Sequence, residues 1–150
     1  MKESPKIKKL EQMLRSSKLV AGGFMGGDSR SFIEVIEADV FKVSKLGYTT
    51  EQIAAKMQEI TNIAKNRLGN WIKIDDKRQA IVEEAQGFLV CPWPHPGRYA
   101  KRITTVELYD SGETVRWSDL NIHLIEKHNF FEGRGAIFRI EPEKLINVIF

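Results

Sequence analysis

The hydrophobic period of this chain changes at Gly69. Before it, apolar residues recur every three or four positions; after it, they come in short runs broken by turn residues. A three-to-four repeat buries one stripe of a helix, whereas short alternating runs suit half-buried strands. One chain carrying both patterns in that order points to an α+β fold, with N-terminal helices packed on a mainly antiparallel sheet and short C-terminal helices. Its 150 residues suit a single domain, helical over about 1–69 and sheet-containing over about 70–150.

The first half predicts three helices. Ser4 before Pro5 is a good opening, and Ile7, Leu10 and Leu14 follow at helical spacing. After the glycine-rich stretch 21–27, Asp28 or Ser29 is expected to cap a second helix running to about Leu46. Phe32, Ile36, Val40 and Val43 form its stripe, and Gly47 ends it. Thr49 and Gln52 have the spacing of a capping box for a third, lined by Ile53, Met57, Ile60 and Ala64 and closed by Gly69.

In the second half, short strands are expected around Trp71–Ile74 and Ala80–Val82, with Phe88–Val90 extending the run past a bend at Gly87. Pro92, Pro94 and Pro96 exclude regular structure. A hairpin turning at Tyr109–Gly112 follows, then a short helix capped by Ser118, a last strand over Ile137–Ile140 and a terminal helix from Pro142.

Composition excludes several classes. Hydrophobic residues at 42% supply a core, so the chain is neither disordered nor a disulfide scaffold. No run approaches the ~18–20 apolar residues of a membrane span, and residues 1–14 lack the apolar segment of a secretory signal. A single cysteine forms no internal disulfide, so a cytoplasmic location is expected. The net charge of +3 resides wholly in residues 1–17, and the remaining chain is balanced. A basic arm of that kind suits phosphate contact or simple solvation.

The only cysteine and all three histidines, Cys91, His95, His123 and His128, fall within residues 91–128. Zinc takes thiolate and imidazole ligands tetrahedrally, usually as two short-spaced pairs that the fold brings together. Strands and then a helix between the two pairs resemble a zinc finger in element order over residues 91–128. The first pair, however, lacks a second cysteine, and 27 residues separate His95 from His123, against about a dozen in fingers. Four ligands make a closed structural site; three, with His128 capping its helix instead, leave a position for water. His123 and His128 lie about 140° apart on a helical wheel, so shared coordination asks the last turn to distort. Cys91 with His95 or His123 as base also has the parts of a nucleophilic pair.

Two further features carry binding chemistry. Gly26, Gly27, Ser29 and Arg30 lead into a helix N-terminus, where free N–H groups and a guanidinium attract anions. Trp93, Arg98, Arg102, Arg116 and Trp117 combine aromatic faces and cations, the pattern of a nucleic-acid or protein-binding module. The segment 46–57 resembles the opening of a helix-turn-helix unit, but residues 58–68 continue the helical period without a second turn.

Overall fold

Each of the first four helices begins where a side chain replaces a missing hydrogen-bond partner. The computed structural model describes residues 4–150; Lys2 and Glu3 of the basic segment lie outside the described residues. Ser4 caps α1 (Pro5–Arg15), and capping boxes open three more helices. Ser31 and Glu34 open α2 (Phe32–Lys45), Thr49 and Gln52 open α3 (Thr50–Ala64), and Ser118 and Asn121 open α4 (Asp119–His128). A short 3-10 turn, Lys65–Arg67, extends α3, and α5 (Pro142–Ile149) starts on its proline. None of the described helices is long and apolar enough to cross a membrane.

The start of α2 corrects the expectation of a cap at Asp28 or Ser29. The Asp28 carboxylate instead accepts hydrogen bonds from the backbone and guanidinium of Arg30 and from the backbone N–H of Arg134. It therefore ties the glycine loop to residues 106 positions away. Gly26 reinforces the tie: a side-chain carbon there would collide with the backbone of Gly135 and Ala136, and its φ of +56° favours glycine.

Four antiparallel strands form one sheet in the order β1 (Ile72–Lys73), β2 (Arg78–Val90), β3 (Arg98–Leu108), β4 (Thr114–Ser118). β1 pairs only with Gln79 and Ala80, and β4 only with residues 103–107 of β3. The ends of β2 and β3 beyond Glu84 and Arg102 therefore project as a two-stranded ribbon. A bulge at the base of that ribbon sets residues 85–87 opposite Lys101, with Gly87 at φ +103°.

One face of the sheet presents Ala80, Val82, Val106, Val115 and Trp117 to α3 and α5. The Trp117 indole N–H donates to the Thr61 hydroxyl at 2.9 Å, and Thr61 and Thr104 share a 2.6 Å hydrogen bond, so this polar trio is satisfied inside the core. A second cluster gathers Leu14, Phe24, Phe32, Leu120, Leu124 and Phe130 beneath the ribbon, and it includes Cys91. α4 joins the two clusters, with Ile122 and Ile125 in the first and Leu120 and Leu124 in the second.

Residues 137–140 form no strand, contrary to the sequence expectation. Ala136 N–H bonds to the Gly133 carbonyl and Arg139 N–H to the Ala136 carbonyl, giving successive tight turns. Arg139 fixes them: its guanidinium bonds to Asp39, to Glu141 and to the carbonyl of Glu132. Ile137 is left 53% exposed.

Glu132, only 4% exposed, sits beside these turns at φ +68° and accepts a hydrogen bond from the Asn121 amide at 2.8 Å. Burial pushes its carboxyl up to about 8, against the opposing pull of that amide and of Arg139. In the folded protein Glu132 thus holds a proton that the unfolded chain releases near its ordinary carboxyl value. Between about pH 4.5 and 8 this group makes stability fall as pH rises, by up to about 1.4 kcal/mol per pH unit. Urea unfolding of the native chain and of Glu132→Gln across that range is expected to give curves that diverge with this sign. Parallel curves would contradict it.

Candidate metal centre

The ligating atoms of Cys91, His95, His123 and His128 all lie within 4.8 Å of one another. Cys91 directly follows β2, and His95 sits in the proline loop joining β2 to β3, so both are carried by the ribbon tip. α4 presents His123 from its middle and His128 from its last residue. Folding the ribbon over α4 is what brings the two sequence-distant pairs together.

Local chemistry sets each ring. Between Pro92 and Pro96 the chain is stiff, and the His95 N–H bonds back to the Trp93 carbonyl at 2.9 Å. His95 Nδ1 lies 3.0 Å from the Pro96 carbonyl, which only accepts, so Nδ1 carries the proton and Nε2 offers its lone pair inward. Trp93 stacks on His128 at 4.0 Å between ring centres and 9° between planes, and Tyr99 stacks on His123 at 4.6 Å. Phe32 and Phe130 meet the indole edge-on, tying this stack to the second core cluster. Gly97, at φ +148°, leaves room for Tyr99, whose hydroxyl lies 3.2 Å from where a side-chain carbon would stand.

The donors converge closely. His95 Nε2 is 3.1 Å from His123 Nε2 and 3.2 Å from His128 Nε2, and Cys91 Sγ is 3.5 Å from His128 Nε2. A tetrahedral ion with bonds of about 2.0–2.3 Å separates its nitrogen and sulfur donors by about 3.3–3.6 Å. These four residues lie close enough to bind a metal ion. Burial pushes the Cys91 thiol up to about 11. Burial, then the neighbouring His123 and His95, pushes His128 down to about 4, and burial followed by His95 lowers His123. Without a cation the pocket therefore favours a thiol and neutral imidazoles, the state in which imidazole lone pairs are free to ligate.

The expected distortion of α4 is small. The helix stays regular to His128, and Asn129, at φ 55°, ends it with an N–H shared between the carbonyls of Ile125 and Leu124. Asn129 supplies the cap that His128 was the alternative candidate to provide, and His128 Nε2 turns into the cluster instead.

Most residues of the other expected sites are engaged in the protein's own contacts. Gly26 packs on the 134–136 backbone, Gly27 N–H donates to the Arg134 carbonyl, and the Arg30 guanidinium forks onto Asp28. Ser29 precedes the Ser31 cap and has no part in it. Of the aromatic and basic set, Trp117 is fully buried, which removes it from any surface. Arg102 pairs with Glu84 and Asp119, and Trp93 stacks on His128 of the Cys/His cluster. Arg98 and Arg116 remain on the surface, each over a phenylalanine ring, Phe88 and Phe138. Sequence reasoning passed over Trp93 and Tyr99 as ring supports, although Trp93 stands between two ligand positions.

Comparison with known proteins finds no matching family model, no matching curated protein and no matching solved structure.

Trp93 holds His128 without ligating, so Trp93→Leu should weaken metal binding about 10–100-fold while far-UV circular dichroism stays native. Competition with a chromophoric chelator measures this, and unchanged affinity would show that the stack has no part in orienting the ligand.

Proposed function

We propose that the protein binds one zinc ion through Cys91 Sγ and the Nε2 atoms of His95, His123 and His128, and that this ion is structural. The observation that carries the reading is the convergence of four donors of mixed thiol and imidazole type, all within 4.8 Å of one another and three of their separations at 3.1–3.5 Å, close to those of a tetrahedral ion. Thiolate with imidazole is a donor set for zinc, whereas magnesium and calcium prefer oxygen. Four protein ligands fill a tetrahedron, so no position remains for a reacting water. The bound dication reverses the local electrostatics: it stabilises the Cys91 thiolate and relieves the mutual crowding of three imidazole lone pairs.

The work of such an ion is mechanical. It fastens the ribbon tip to α4 and closes the second core cluster, which holds Cys91 and is flanked by Trp93 and Tyr99. A thiolate ligand survives in a reducing compartment, which makes the cytoplasm the location that fits.

Protein purified without a histidine tag should contain one zinc per chain by elemental analysis. Cobalt substitution should give a sulfur-to-cobalt charge-transfer band that Cys91→Ser abolishes. His123→Ala should lose the metal as well, and chelation should lower the thermal midpoint of the native chain only. Substoichiometric metal, or content unchanged in both variants, would overturn the reading.

A further inference from the structure

Ile137 and Phe138, displayed by the turns that Arg139 fixes, form a wall shared by two adjoining clefts. The first is narrow and apolar, with Phe24 and Leu120 inside, Leu19 and Val90 at its rim, and Ser118 and Glu132 as its polar lining. The second, of about 340 Å³, is lined by Thr105, Thr114, Arg116 and Lys144 together with Arg139 and Glu141, which pair with each other. Together they make one groove, apolar at one end and cationic at the other.

Two of its three lining cations have no acidic counterpart among the described residues. Among the described residues, Arg116 and Lys144 form no ion pair, and neither does Arg98, which pairs in register with Val90 at the apolar end. Arg98, Arg116 and Lys144 are all exposed. Arg15, Arg30 and Arg102 are paired with carboxylates, whereas among the described residues the exposed Arg67 and Arg134, outside the groove's lining, form no ion pair either. A concentration of unmatched positive charge around exposed aliphatic side chains calls for an occupant that is both negative and apolar.

We propose that this groove docks an acidic peptide segment. One apolar side chain rests on Ile137 and Phe138 beside Leu19 and Val90, and flanking carboxylates meet Arg116, Lys144 and Arg98. Single-stranded nucleic acid fits less well, because stacking needs free aromatic faces. Arg98 and Arg116 lie 5.6 and 5.0 Å above the rings of Phe88 and Phe138, and the remaining ring of the lining, Phe24, is buried. A second copy of the chain fits less well too, since a two-fold interface would bring the same cations toward one another. The groove is independent of the four metal ligands, so its test and that of the zinc reading fail separately.

A phage library of random twelve-residue peptides, panned against the chain as purified, tests the proposal. The expected selection is of sequences in which Asp and Glu flank an apolar residue. A synthetic peptide from that pool should lose at least tenfold in affinity to the Arg116→Glu/Lys144→Glu variant. Ile137→Glu should weaken it comparably, and added salt should weaken it progressively. All three positions are exposed, and the variants should keep native circular dichroism and metal content. Four results would overturn the proposal: no enrichment, enrichment of neutral or basic sequences, binding indifferent to these substitutions, or tighter binding of oligothymidylate than of any selected peptide. Self-association abolished by Ile137→Glu would also overturn it, assigning the groove to a second copy.

Discussion

Three imidazole nitrogens and one thiol sulfur are held against one another at the junction of the β2–β3 ribbon and α4. Without an ion they can satisfy only one another by hydrogen bonds, and the buried thiol resists ionisation. On the zinc reading proposed above, a dication would turn the same geometry into four bonds. Among the described residues the ribbon beyond residues 84 and 102 has no further strand on either side, so this junction anchors its tip to the rest of the molecule.

The support for that junction runs inward through rings. His128 lies on Trp93, Trp93 meets Phe32 and Phe130, and those side chains belong to the cluster that also contains Leu14 and Leu124. An ion bound there, as proposed, would thereby be coupled to α1 and the start of α2, whose Leu14, Phe32 and Val35 belong to the second core cluster. The first cluster, with its Trp117–Thr61–Thr104 hydrogen bonds, is complete without the ribbon. α4 belongs to both, through Ile122 and Ile125 on one side and Leu120 and Leu124 on the other. One short helix therefore presents two of the four candidate ligands and couples two cores.

Local signals in the sequence were legible where they act locally. Ser4, Thr49 and Ser118 cap helices because their hydroxyls reach N–H groups three residues on, a relation that needs no tertiary structure. The switch of period at Gly69 separates helices from strands for the same reason. The misread positions were those decided from far away. Asp28 looks like a cap but bonds to Arg134, and residues 137–140 look like a strand but turn because Arg139 reaches Asp39. The four metal-site residues were legible from residue type, since so few side chains of this chemistry occur. Their convergence was not, because it depends on a ribbon closing over a helix. The basic and aromatic set divided because strand alternation points Trp117 inward and Arg116 outward, a parity fixed by Val115 and the core.

The central claim is that one ion is bound by all four of these side chains and by nothing else. X-ray absorption at the metal edge of protein purified without a tag tests it most directly. The account predicts a four-coordinate zinc with one sulfur at about 2.3 Å and three imidazole nitrogens at about 2.0–2.1 Å. A first shell lacking sulfur, or one containing water oxygen at five- or six-fold coordination, would contradict it.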